Sequence, residues 1–218
     1  YRFVRSGRVN PGIYPENMPE ADRKLTWNMK KYKKWWTPEW YKAVNQGLFV
    51  KRDIEGGQMS RDMTLFVDDD GKAYHIYSSE ENLTLHIAEL TDDYLGHSGR
   101  YIRIFPGGHN EAPTIFKKGN MYWMITSGCT GWIPNEARMF SASSIWGPWE
   151  QYPNPCRGQN SEKTFGGQST FVLELPENRF IFMADVWKPK SLMYSGHIWL
   201  PIQFSEKGIP FIEWLDKW

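Results

Sequence analysis

From residue 59 onward, short apolar runs alternate with clusters of turn residues, the texture of β-strands joined by hairpins. Met63-Thr64-Leu65-Phe66-Val67 leads into Asp68-Asp69-Asp70-Gly71, a tight hairpin turn, and Ala73-Tyr74-His75-Ile76-Tyr77 returns from it. Leu83–Ala88 follows with the same alternation. A second unit runs through 114–116, a turn at Lys117-Lys118-Gly119-Asn120, 121–126 and 137–141. A third runs through 170–175, a turn at Pro176-Glu177-Asn178, 179–184 and 197–204.

The first 47 residues are patterned differently. Pro11, Gly12 and Pro15 keep residues 1–16 extended. Asn17 with Glu20 three residues on has the form of a capping box. Leu25, Met29, Tyr32 and Trp36 then fall on one helical stripe opposite Lys30, Lys31, Lys33 and Lys34, which read as a solvated face. Thr37-Pro38-Glu39 starts a second helix, with Thr as N-cap and Pro in the first turn, and Gly47 ends it. Residues 17–47 are therefore expected to form a short helical pair.

Laid over one another, SRDMTLFVDDDGKAYHIYSS, NEAPTIFKKGNMYWMITSG and GQSTFVLELPENRFIFMADV share one plan. A polar leader precedes a short apolar strand, a hairpin turn and an aromatic-rich second strand. The leaders are Asp62, Glu111 and Gln168. Antiparallel meanders repeating at about 50 residues are the mark of β-propeller blades. In such a fold the innermost strands line one axis, so the three leaders are expected to converge at one end of the channel.

Composition adds one emphasis. Trp 12, Tyr 11 and Phe 12 make 16% of the chain, which suits both core filling and stacking on sugar faces. The net charge of +1 selects neither nucleic acid nor an anionic membrane as partner, and no apolar run approaches the roughly 20 residues of a membrane-spanning helix. Cys129 and Cys156 are too few for a disulfide scaffold; they form either a pair bracing a pocket rim or two free thiols. His75, His86, His97, His109 and His197 show no ligand spacing, so no metal and no cofactor are expected.

An acid beside other polar groups in an aromatic pocket suits glycosidic cleavage, which needs a protonated carboxyl on the leaving oxygen. Glu111 precedes Ala-Pro and an apolar strand, so desolvation is expected to favour its neutral form, with Asp62 adding like-charge repulsion. The alternative role for these leaders is structural, tying blades together through backbone amides.

The segment EAPTIFKKGNMYWMITSGCTGWIPNEARMFSASSIWGPWEQYPNP resembles the acid-bearing blade of glycoside hydrolase family 43, and most closely its exo-β-1,3-galactanase branch. SRDMTLFVDDDGKAYHIYSS resembles the preceding blade, FGGQSTFV the following one, and SGHIWLPIQFSEKGIPFIEW also fits. The resemblance covers about residues 56–218 and implies an all-β, five-bladed β-propeller occupying residues 1–218, incomplete at its N-terminus, with this chain supplying about blades 2–5 and the helical pair at 17–47 as an insertion within it. It implies Glu111 as general acid and Asp62 as the carboxylate orienting it. Gln168 stands where the branch lacks the usual Asp base, and the resemblance implies this Gln as the base, acting as its imidic tautomer; a neutral amide is a poor base, so its lesser role is to position the water.

Thr130 and Asn82 fall at sugar-contact positions of the family, while Trp132, Trp187 and Asp185 are further candidates for the sugar pocket. The implied activity is inverting exo-β-1,3-galactosidase or galactanase action on β-1,3-galactan, as in arabinogalactan. The alternatives are an arabinofuranosidase or xylosidase of the same family, or a non-catalytic glycan-binding propeller. The implied partners are a galactose-containing saccharide and an upstream segment completing the first blade, of which Tyr1–Val9 would be the last strand. A polysaccharide substrate implies a periplasmic or secreted protein.

Overall fold

The computed structural model describes residues 8–34, 36–54 and 56–218 of the 218-residue chain. They form two compact units, one through His109 and one from Asn110 to Trp218.

In the first unit, β1 (Arg8–Val9) pairs antiparallel with β2 (Gln58–Met59). Tyr1–Gly7, assigned above to the same strand, lie outside the described residues. Between β1 and β2 come α1 (Glu20–Arg23), α2 (Pro38–Asn45) and α3 (Leu48–Arg52). The second expected helix start is present: Thr37 Oγ1 accepts from the Trp40 amide at 3.2 Å and Pro38 occupies the first turn.

The first expected helix is broken up: only α1, with Pro19 and not Asn17 at its N-cap, and a single 3-10 turn at Lys31–Lys33 form there. The Asn17 side chain exchanges two hydrogen bonds with the Arg103 backbone, at 2.6 and 3.1 Å, instead of capping. Beyond α1, Asn28 Oδ1 accepts from the amides of Lys30 and Lys31, a local turn that competes with helical pairing. Leu25, Met29 and Trp36 of the supposed stripe are consequently exposed.

The sheet of the first unit has the order β3-β4-β5-β6: β3 (Met63–Val67), β4 (Ala73–Ser79), β5 (Thr84–Leu90) and β6 (His97–Ile104), all antiparallel. The β3–β4 hairpin closes at Asp68–Gly71, where Gly71 supplies a positive φ of 82°. Every residue of β4 is buried. Val50, Tyr77, Ala88 and Tyr101 form one cluster, and Trp40, Val44, Leu48, Phe49 and Leu83 pack a second between the helices and the β4–β5 turn.

The second unit holds two sheets. One is the meander β7 (Asn110–Lys118), β8 (Met121–Gly128), β9 (Arg138–Ala142) and β10 (Glu150–Tyr152). The other has the order β11-β15-β14-β13-β12: β11 (Cys156–Arg157), β12 (Gln168–Leu175), β13 (Arg179–Val186), β14 (Gly196–Phe204) and β15 (Pro210–Glu213). β11 joins β15 in parallel, outside an otherwise antiparallel meander. Phe116, Trp123, Ile125 and Met139 of the first sheet share a core with Val172, Phe180, Phe182, Ile198 and Leu200 of the second.

The described residues thus form three blade-like meanders and one two-stranded pairing. In each meander the first strand, β3, β7 or β12, lies at the sheet edge. Cys129 and Cys156 are not joined by a disulfide. Among the described residues, no helix is long and apolar enough to cross a membrane.

Candidate active site

Glu111 sits at the entry of β7, half-buried. Its strand is not regular there. Pairing with β8 runs Asn110↔Gly128 and Glu111↔Ser127, then slips before Thr114, with Ala112 in the left-handed region at φ 50°. A bulge of this kind bends the strand and re-aims its side chains, and such bulges concentrate beside active sites. Asn110 anchors the entry: its Oδ1 accepts from Thr126 Oγ1 at 2.9 Å and from Arg138 Nη1 at 3.1 Å.

Gln168 is the first residue of β12, which carries its own register shift between Ser169 and Phe171. Ser169 Oγ donates to the Ala112 carbonyl at 2.7 Å. The two irregular strand entries are therefore tied to each other. Gln168 Nε2 donates to Ser127 Oγ at 2.9 Å, and Ser127 is the residue opposite Glu111 in the β7–β8 ladder. Directly opposed residues on antiparallel strands project to the same face, so Ser127, which holds the amide, projects to the face that Glu111 occupies.

Trp187 donates its indole N–H to Gln168 Oε1 at 3.2 Å and meets Trp132 edge-on, ring centroids 5.6 Å apart at 71°. Both rings are exposed and line a shallow pocket with Ser127, Asn135, Gly167 and Gln168. An aromatic wall beside hydrogen-bonding groups is a surface on which a sugar ring can stack and be oriented. Asp185 pairs with Gln168 on one side and His197 on the other. Its carboxylate accepts from His197 Nδ1 at 2.8 Å, so it belongs to the row across the sheet rather than to a loop cap.

The loop Gly128–Asn135 forms the pocket's rim and is held by Asn135. That side chain accepts from the Gly128 amide at 2.7 Å and donates to the Gly128 carbonyl at 2.9 Å. It also donates to Thr130 Oγ1 at 2.6 Å, while the Thr130 hydroxyl donates to the Ile133 carbonyl at 2.5 Å. Thr130, expected to meet the sugar, thus uses its hydroxyl to shape the loop. Thr164 Oγ1 donates to the Asn135 carbonyl at 2.7 Å, fastening this rim to the loop that precedes Gln168.

Asp62 and Asn82 belong to the first unit. Asp62 is exposed just before β3, and its carbonyl accepts from the Ser78 amide at 2.9 Å. This repeats the plan of the second unit: each leader faces the end of the second strand, at Ser78, Ser127 or Asp185. Asn82 is buried in the β4–β5 turn, the last of three consecutive left-handed residues with Glu80 and Glu81.

Glu80 is the other carboxylate of note. Burial pushes it up, yet Arg103, at 2.6 Å from both of its oxygens, and His86, at 2.9 Å, bring it down to about 2. His86 itself is lowered, chiefly by burial, so the ion pair is with Arg103. This network holds the first unit together and offers no open face for chemistry.

Among the described residues, no group of three or more His, Cys, Asp or Glu is arranged to hold a metal. Ser127, Asn135 and His197 were not singled out from the sequence as site residues. Aligning the ends of the second strands would have found Ser127, since Ser78 and Asp185 occupy the same place in their repeats.

The family model of glycosyl hydrolases family 43 matches residues 25–184. The chain belongs to glycosyl hydrolase family 43. A solved β-1,3-galactosidase of family 43, determined with galactodeoxynojirimycin, is 69% identical over 100% of this chain and 64% of its own, with a TM-score of 0.96. The exo-β-1,3-galactanase of Clostridium thermocellum is 34% identical, over 72% of this chain and 34% of its own, with a TM-score of 0.65. A β-D-galactofuranosidase of Aspergillus niger is 26% identical over 129 residues, 54% of this chain and 37% of its own. This family 43 chain therefore spans between about a third and two thirds of the length of the relatives it matches.

Proposed function

We propose that this chain carries the acid and the water-positioning amide of an inverting exo-β-1,3-galactosidase that releases galactose from β-1,3-galactan. The observation that carries this reading is the joining of two bulged strand entries by Ser169 and Ala112. This reading is supported by the Gln168 amide reaching Ser127, the residue opposite Glu111 in the ladder, beside an exposed aromatic wall. Glu111 gives its proton to the glycosidic oxygen as the bond to the anomeric carbon breaks. A water held by Gln168 attacks the opposite face and loses a proton to solvent, so the configuration inverts. Trp132 and Trp187 supply the stacking surface. The fold that goes with this reading is a five-bladed β-propeller, and its polysaccharide substrate places the work in the periplasm or outside the cell.

The test uses the protein at its full natural length, with galactose release from linear β-1,3-galactan followed by chromatography. Glu111→Gln is expected to lower turnover by about 10²- to 10⁴-fold with folding intact. Proton NMR of the first-formed product is expected to show α-galactose. A fully active Glu111→Gln variant removes the acid assignment, and β-galactose as first product removes inversion. Saccharide binding with no hydrolysis by the unaltered protein would favour a glycan-binding propeller.

A further inference from the structure

The Gln168 amide is held at both ends, and the two partners are not chemically equivalent. An indole N–H is a donor only, so the atom facing Trp187 Nε1 at 3.2 Å must be the amide oxygen. The nitrogen then faces Ser127 Oγ, 2.9 Å away, and the hydroxyl accepts from it. Rotating the amide by half a turn would set the indole N–H against the NH₂ group, donor to donor, and lose the hydrogen bond there. Ser127 could serve either orientation, because a hydroxyl donates as well as accepts. Trp187 is therefore the partner that decides.

We propose that Trp187, supported by Ser127, is a positioning residue that fixes which end of the Gln168 amide meets the attacking water. The carbonyl oxygen is turned to the Trp187 side, with one of its two lone pairs taken by the indole and the other left for water. The NH₂ group is turned to Ser127, opposite Glu111 in the ladder. The amide thus offers an acceptor to the water and keeps a donor on Ser127. Trp187 then has a role beyond stacking: its ring serves the sugar, and its N–H serves Gln168. The proposal rests on the galactosidase reading for its kinetic consequence, but not for its geometry.

Two measurements separate these levels. The first reads the indole protons by NMR in the unliganded protein. In a Gln168→Ala variant the Trp187 Nε1–H signal is expected to shift and to exchange faster with solvent, while the Trp132 signal holds. An unchanged Trp187 proton overturns the proposal. The second compares kcat and KM on a β-1,3-linked galacto-oligosaccharide. Trp187→Phe keeps an aromatic ring and loses the donor, so kcat is expected to fall about tenfold or more with KM changed little. In the Gln168→Ala background the same substitution is expected to add nothing to the loss in kcat.

A Trp187→Phe variant that raises KM at constant kcat makes the ring a stacking platform only and overturns the proposal. So do losses that add independently. If the unaltered protein releases no galactose, the galactosidase reading falls, and the NMR result alone decides whether the amide is held as described.

Discussion

A methyl group at Gly167, one residue before Gln168, would lie 3.0 Å from Ile198 Cδ1 and 3.1 Å from Ala184 Cβ. Both neighbours are buried in the shared core, so neither can yield without moving its own packing. Gly167→Ala is expected to destabilise by about 1–3 kcal/mol, read from denaturant midpoints at unchanged slope. Within GGQST, Gly167 is needed for close approach and Ser169 ties β12 to β7. The leaders themselves were legible in the sequence because they stand out against apolar runs. Ser127 becomes legible only once the second-strand ends of the repeats are aligned, and Asn135 is not legible, because a small polar residue near a strand end is a turn signal everywhere else.

The strands show the same division at the scale of elements. The turns at Asp68–Gly71, Lys117–Asn120 and Pro176–Asn178 fall where the sequence puts them, because residues that tolerate positive φ are concentrated there: Gly71, Gly119, Glu177 and Asn178 all adopt it. β6 and β15 were missed: His97–Ile104 carries two arginines, a histidine and a serine, and Pro210–Glu213 is short. Of the two expected helices, the one with a proline at its start and a true N-cap formed. Thr37→Ala is expected to cost about 1 kcal/mol of stability by freeing the Trp40 amide, measurable by thermal unfolding; a loss near zero would mean that packing of Trp40 and Val44 alone sets that end. The expected helix over Leu25–Trp36 lost to side-chain hydrogen bonds, made locally by Asn28 and at a distance by Asn17. Propensity and periodicity do not count such competitors.

For the molecule as a whole, acid stability follows from the buried histidines and Glu80. Burial, with His97 and His86 adding to it, pushes His75 down to about 4. The unfolded chain binds that proton below its ordinary value of 6.5 while the folded chain does not. Stability is therefore full above that value and falls as pH drops toward 4, by on the order of 3 kcal/mol for His75 alone. His86 and His97, both lowered chiefly by burial, act in the same direction. Glu80, held down to about 2, keeps its contribution until pH falls below the usual 4.5. Denaturant unfolding is expected to show a first loss of stability as pH falls from neutral to about 4.5, with a second loss below it. A flat profile over the first range would mean that these histidines are hydrated in the native state.

Alternation and turn chemistry, both local, were enough to set the all-β texture, the repeat and the identity of the leaders. The resemblance carried by EAPTIF, CTGW and GGQST pointed to the family that the comparisons then showed. Tertiary structure alone decided which groups meet. Beside the bulges at Ala112 and Ser169, the Ser169 hydroxyl ties the strand entry that carries Glu111 to the one that carries Gln168. The donor-only indole of Trp187 chooses the face of an amide. The Arg103 guanidinium holds a fully buried Glu80 charged. Each of these depends on distances between residues remote in the chain, and hydrogen bonding and charge are governed by distance and direction, which a linear pattern does not contain.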